Sequence, residues 1–257
     1  MKKIFKIFII SLGYFTTIPV PYLKWEDKLN KYIPLFIPLI GIIIGTIFFG
    51  LIKFMEIAPI SSLLQSSIIV VFFIFITGGL HLDGFMDTCD AHFSRREIPK
   101  KLIIMKDSNV GAFAVVFLLV LFLIKLTVIN EVVLNNDLVY IVILIPIISR
   151  IYESLLLLNT RKAKDSSLQA MYGSLSKKYQ LVYVLYIIVT IIIGSLLNEL
   201  LFVLTLHTIA ILYLLYYKRF AIKQFGGITG DVVGAYVEIV EVILWTGVLL
   251  YGILYWG

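Results

Sequence analysis

Ile68-Ile69-Val70-Val71-Phe72-Phe73-Ile74-Phe75-Ile76-Thr77-Gly78-Gly79-Leu80-His81-Leu82-Asp83-Gly84-Phe85-Met86-Asp87-Thr88-Cys89-Asp90 runs without a break from membrane-like sequence into an acidic motif. Leu63–Leu80 is apolar enough to read as a membrane-crossing helix. The run ends on three carboxylates, Asp83, Asp87 and Asp90, at i, i+4 and i+7. On a helix, Asp87 lies about 40° from Asp83 and Asp90 about 20° to the other side. One narrow face therefore carries three negative charges with no base between them. Like charges at that spacing destabilise a helix unless something positive sits among them. Mg²⁺ is the expected partner, because it takes one or two carboxylates together with substrate phosphates. The competing reading is a helix end whose acids are simply solvated.

Composition extends that reading to the whole chain. Of 257 residues, 60% are hydrophobic and 15% charged, and mean hydropathy is +1.01. Soluble domains carry about 25% charged residues, so the pattern is that of a polytopic membrane protein. Span-length apolar stretches lie near Ile33–Met55, Leu63–Leu80, Val110–Ile129, Leu138–Leu158, Leu181–Leu197, Leu200–Tyr217 and Ala235–Trp256. The expected fold is all-α, a membrane bundle of about seven transmembrane helices. No repeat, linker or low-complexity tract divides it, so residues 1–257 read as one domain. Met1–Thr17 carries Lys2, Lys3 and Lys6, and no small-residue cleavage site follows it. It reads as a basic helix at the membrane surface rather than a signal peptide.

Basic residues set the orientation. Residues 1–32, 83–109, 159–179 and 218–234 hold 19 of the 22 Lys and Arg. Only Lys53, Lys125 and Arg150 fall elsewhere. The opposite connections carry Glu56, Glu131, Asp137 and Glu199. Positive excess marks the cytoplasmic side, so the four basic connections are expected there, in a multi-pass cell-membrane protein. The net charge of +6 comes from these loops. It does not indicate nucleic acid, since no soluble basic domain exists to bind it.

Two further constellations fall on the same side. Gly226-Gly227-Ile228-Thr229-Gly230-Asp231 opens the last span, and Glu238 and Glu241 follow inside it. The glycines allow close backbone approach to a ligand, and a helix start can hold phosphate. Asp231 and Glu238, seven apart, share a face. Ionisable residues within a span usually serve function. The alternative is that the glutamates pair with Arg150 or Lys125 and hold the bundle. The second constellation is Met105-Lys106-Asp107-Ser108-Asn109, where Ser108 and Asn109 suit helix caps. Lys106 either snorkels to water or neutralises phosphate charge. Arg150 has Glu153, Glu238, Glu241 or a substrate phosphate as possible partners. Cys89 is the single cysteine, which excludes an intrachain disulfide, and no local signature makes it a nucleophile.

These residues also resemble a known family. The runs Thr77–Asp90, Ile104–Ser108 with Gly111, and Gly226–Asp231 with Gly234, Ala235 and Glu238 are similar to the cobalamin synthase family, the adenosylcobinamide-GDP ribazoletransferases. Phe15-Thr16-Thr17-Ile18-Pro19-Val20-Pro21 and Pro38-Leu39-Ile40-Gly41 resemble it too. Thr17 departs from a frequent Arg, and Cys89 from a usual small residue. The resemblance implies transfer of α-ribazole, or its 5′-phosphate, to adenosylcobinamide-GDP, yielding adenosylcobalamin or its 5′-phosphate and GMP. It implies Mg²⁺ on Asp83, Asp87, Asp90 and Asp231, with Glu238 as a further ligand or a catalytic acid. Either Asp90 or Glu238 would take the acceptor's proton. Lys106 and Arg150 would contact phosphate. Gly78, Gly79, His81, Gly227, Thr229 and Gly230 would line the substrate site, with His81 either a base or a structural hydrogen-bonder.

Two other readings compete. A CDP-alcohol phosphotransferase or prenyltransferase also uses Asp motifs at helix ends, but Asp83-Gly84 lacks the Ala-Arg continuation of the first and Gly226–Asp231 is not the second Asp-rich motif of the other. A cation transporter would scatter acids at mid-membrane, whereas most here cluster at one border.

Overall fold

Backbone polar groups cannot go unpaired in hydrocarbon, so each apolar run must satisfy them within itself. The computed structural model, which describes residues 2–24, 27–57, 60–134, 141–164, 166, 168 and 177–255, places a helix on the described part of each of the seven runs. In chain order the helices are α1 Lys2–Phe15, the single turn α2 Asp27–Asn30, α3 Ile37–Ile57, α4 Ser62–Thr77, α5 Leu80–Phe93, α6 Ile98–Ile104, α7 Ala112–Leu134, α8 Leu144–Asn159, α9 Gln180–Leu196, α10 Leu200–Phe225 and α11 Gly230–Tyr255. Among the described residues there is no strand, only an isolated bridge between Lys162 and Ile228.

Fewer of them qualify as spans than the expected seven. Among the described residues four helices, α3, α7, α10 and α11, are long and apolar enough to cross a bilayer. A fifth span exists only if α4 and α5 are joined, and these are bent by 93°. The apolar part of that pair is α4; α5, with three aspartates and two histidines, we place outside the spanning segments. α9 is apolar but short. α8 differs most from the expectation for residues 138–158, whose first three residues lie outside the described ones. Its residues 144 to 154 are all buried, and α3, α9, α10 and α11 pack around it. α7, by contrast, buries only 17% of its apolar window and turns Val116, Leu119 and Leu123 outward. An exposed apolar face of that length is a lipid surface.

Small residues set the closest crossings, as in membrane bundles generally. A Cβ at Gly41 would stand 2.6 Å from the Pro146 carbonyl, and one at Gly45 2.8 Å from that of Ile143. α3 thus lies almost backbone to backbone on α8. α1 packs on α3, buries Ile7, Ile10 and Phe15 and leaves Ile4 and Phe5 exposed.

The four basic connections meet at one end of the bundle. Ile228 N–H donates to the Arg161 carbonyl and Ala163 N–H to that of Ile228, both at 3.0 Å. Lys101 Nζ donates to Gln224 Oε1 at 2.8 Å, and the Tyr32 and Tyr179 rings touch edge to face at 5.8 Å.

Candidate active site

The site begins with the Gly78-Gly79 bend. Both glycines take left-handed backbone, φ +62° and +73°, where a Cβ is strained. That pair ends α4 and aims α5 across α11. The two helices then cross at glycines. A Cβ at Gly84 would lie 2.8 Å from the Cα and carbonyl oxygen of Asp231, and one at Gly234 2.9 Å from the His81 carbonyl. Two acidic motifs more than 140 residues apart in sequence are thereby pressed together. Burial first, then the charges of Asp83, Asp231 and Asp90, push the Asp87 carboxyl up to about 7. Crowded carboxylates in a partly desolvated place behave in this way.

Beside the crossing opens a cavity of about 830 Å³. Its wall holds six of the anticipated residues, His81, Asp83, Lys106, Thr229, Gly230 and Asp231. Thr229 is structural as well, accepting Val232 N–H at 3.2 Å to cap α11. Tyr14, Glu153 and Lys164 also line the cavity, and the sequence reading gave none of them a site role. Glu153 was visible as the acid three residues beyond Arg150 in an apolar helix. Tyr14 and Lys164 had no such mark.

Other anticipated residues are engaged elsewhere. Asp90 accepts Gly111 N–H at 2.7 Å on one oxygen and Ala114 N–H at 2.9 Å on the other. It therefore caps α7 from a distance, the task expected of Ser108 or Asn109. Glu238 is buried in an ion pair with Lys125, and Glu241 pairs with Arg150 at 3.1 Å, so the bundle-holding alternative describes both. Arg150 is 1% exposed and lies behind the cavity wall rather than in it. Gly78 and Gly79 form the bend. Gly227 lets the chain pass the Arg161 carbonyl at 2.6 Å from its would-be Cβ. Cys89 is buried among Phe85, Leu121 and Ala235, and burial and Asp90 push its thiol up to about 12. A thiol so held is no nucleophile.

Among the described residues no three acidic, His or Cys side chains stand close enough to enclose a metal by themselves. The cavity pairs Asp83 and Asp231 with Lys106 and Lys164, so it can take a cation on one part of its wall and an anion on another. That donor set fits Mg²⁺, which completes a few carboxylates with substrate phosphates and water.

Comparison with known proteins agrees with the motifs. The cobalamin-5-phosphate synthase family profile matches residues 7–249. An adenosylcobinamide-GDP ribazoletransferase of Clostridium botulinum is 36% identical over 95% of this chain and 96% of its own length. One of Clostridium perfringens is 34% identical over 99% and 100%, and one of Geobacillus sp. 32% over 95% and 95%. No solved structure matches the chain.

Proposed function

The chain belongs to the cobalamin-5-phosphate synthase family, and on that premise we propose that its cavity joins α-ribazole, or its 5′-phosphate, to adenosylcobinamide-GDP with release of GMP. The observation that carries this reading is the cavity wall itself, where Asp83 and Asp231 from two motifs face the same space as Lys106 and Lys164. A pyrophosphate donor needs both signs of charge. The chemistry is displacement at phosphorus, which proteins accelerate mainly by positioning and charge neutralisation.

Asp83, Asp87 and Asp231 would hold Mg²⁺, which when bound supplies charge neutralisation for the pyrophosphate. Lys106 and Lys164 would take the phosphate oxygens that the acids would otherwise repel. The Gly84 and Gly234 crossing keeps the two acidic motifs at fixed separation. Phe15 and Leu157, also in the wall, give the acceptor's aromatic base an apolar seat and exclude water around the reacting phosphorus. The protein is a membrane protein. We further propose that the cavity opens to the cytoplasm from the cell membrane, because the connections gathered at its end hold 19 of the 22 Lys and Arg.

Membranes containing the protein should form cobalamin and GMP from adenosylcobinamide-GDP and α-ribazole. EDTA should abolish the reaction, Mg²⁺ restore it and Ca²⁺ do so poorly, since its longer, looser coordination misplaces phosphates. Asp83→Asn and Asp87→Asn should each lower turnover by orders of magnitude without loss of protein from the membrane. Full activity in chelator, or near-normal rates in both variants, would overturn the metal reading.

A further inference from the structure

Beneath the cavity, Arg150 sits between two buried carboxylates that differ in how they are satisfied. Glu241 Oε1 accepts from Arg150 Nη1 and from the Ser149 hydroxyl, each at 3.1 Å. Glu153 is 1% exposed, yet its Oε2 has no hydrogen-bond partner. The Arg150 Nε it faces is 3.6 Å away, and its Oε1 stands 3.7 Å from His81 Nε2. Those two nitrogens are also without hydrogen-bond partners. Leaving such groups unmade costs about 1–3 kcal/mol each, more when charged. Three of them lie together just behind the wall, around Glu153, the member of the cluster that lines the cavity with His81.

His81 Nδ1 stands 3.4 Å from Arg150 Nη2, so the ring and the guanidinium are held side by side. Two buried carboxylates face one guanidinium, which donates to Glu241 and leaves Glu153 without a hydrogen bond from it. A substrate hydroxyl in the cavity that donates to the Glu153 carboxylate supplies a hydrogen bond that this side chain lacks. Both Glu153 and His81 line the same cavity as Asp83 and Asp231. The acids first expected to take the proton are otherwise engaged, Asp90 on the α7 amides and Glu238 on Lys125.

We propose that Glu153 is the general base that accepts the proton of the attacking acceptor hydroxyl, held in place by Arg150 and His81. This rests on the transferase reading above. In the step, the acceptor's 5′-oxygen forms a bond to the phosphorus that carries the corrinoid arm. The bond from that phosphorus to the bridging oxygen breaks, and GMP leaves with the electron pair. The hydroxyl proton passes to Glu153 and from there to water after the product departs. Arg150 and His81 are positioning residues, and Glu153 touches the reacting hydroxyl.

The test compares two acceptors in the same membranes, α-ribazole and its 5′-thiol analogue, with adenosylcobinamide-GDP and Mg²⁺. A thiol has an unperturbed pKa near 8.5 and is partly thiolate without a base, so it does not need Glu153. General-base catalysis is worth about 10²–10⁴-fold. E153Q should therefore slow the hydroxyl acceptor by about 100-fold or more while the thiol rate stays within a few-fold of wild type. E241Q disturbs the same arginine but keeps the base, and should lower the hydroxyl-to-thiol ratio far less than E153Q does. If E153Q does not accumulate, Glu153→Ala with added formate replaces it, and formate should restore the hydroxyl rate without raising the thiol rate. Equal losses for both acceptors, no loss for either, or no selective effect of formate would overturn the proposal. Absence of GMP from the wild-type protein would instead overturn the transferase reading, which keeps the two failures apart.

Discussion

Gly84→Ala is the smallest change that separates the two acidic motifs. Its new methyl would sit 2.8 Å from the Asp231 Cα and carbonyl oxygen, where ordinary contact begins near 3.4 Å. Both obstructing atoms are backbone, so neither can rotate away, and α5 and α11 must part by the difference, about 0.6 Å on those distances. Overpacking of this kind costs about 1–3 kcal/mol. Alanine returns up to about 1 kcal/mol of helix propensity over glycine. The net loss of stability is therefore about 0–2 kcal/mol, enough to lower the thermal midpoint by a few degrees without unfolding the protein.

Activity should respond far more. The residue displaced is Asp231 itself, and a misplacement of about 1 Å in a catalytic constellation can cost about 10²-fold in rate. GMP release in membranes should fall at least about tenfold, with the protein still inserted. Gly50→Ala, inside α3 with nothing within 4 Å of its would-be Cβ, is the control, and its rate should not change while its midpoint should hold or rise slightly. Wild-type turnover in Gly84→Ala would refute the claim that this crossing sets the site.

Other outcomes follow from the engaged residues. Asp90→Ala removes both hydrogen bonds that cap α7 and should cost about 1–2 kcal/mol of stability, read as a lower thermal midpoint that Asp90→Asn partly recovers; an unmoved midpoint would contradict the cap. Lys125→Met strands Glu238 and should cost about 3–5 kcal/mol, whereas Lys125→Met with Glu238→Leu should recover most of it. If the double variant is as unstable as the single, the pair is not what holds these helices. Cys89 should resist maleimide at neutral pH in opened membranes and react fully in detergent denaturant, because its thiol is buried and pushed up to about 12. On a Cys89→Ala background, Arg96→Cys at the exposed α5–α6 turn should be labelled by an impermeant maleimide in opened membranes but not in intact cells; labelling from outside would invert the proposed orientation.

Periodicity and apolar length made all seven long helices legible, because those properties belong to one segment at a time. The 93° break at Gly78-Gly79 was written in the sequence too, but two glycines serve a ligand and a left-handed bend equally well. Asp83 and Asp90 show why site membership was harder to read. They lie on one helical face, yet Asp83 opens on the cavity and Asp90 is consumed by amides 21 and 24 residues on. Spacing fixes the face of a helix; the neighbouring helix decides what that face meets. Glu238 met Lys125, 113 residues away, and nothing local encodes that encounter.

Buried charge inside an apolar helix was nonetheless the most useful clue, once the charges are counted by cluster. Lys125 and Glu238 form a one-to-one pair, which neutralises itself and leaves nothing for a ligand to correct. Arg150 faces both Glu153 and Glu241, and the odd carboxylate is the one on the cavity wall. A bundle gains no stability from a buried carboxylate oxygen left without a hydrogen bond, as Glu153 Oε2 is. Groups held in that state persist where a substrate completes them, so the unbalanced cluster is where chemistry is expected and the balanced one is where the helices are held.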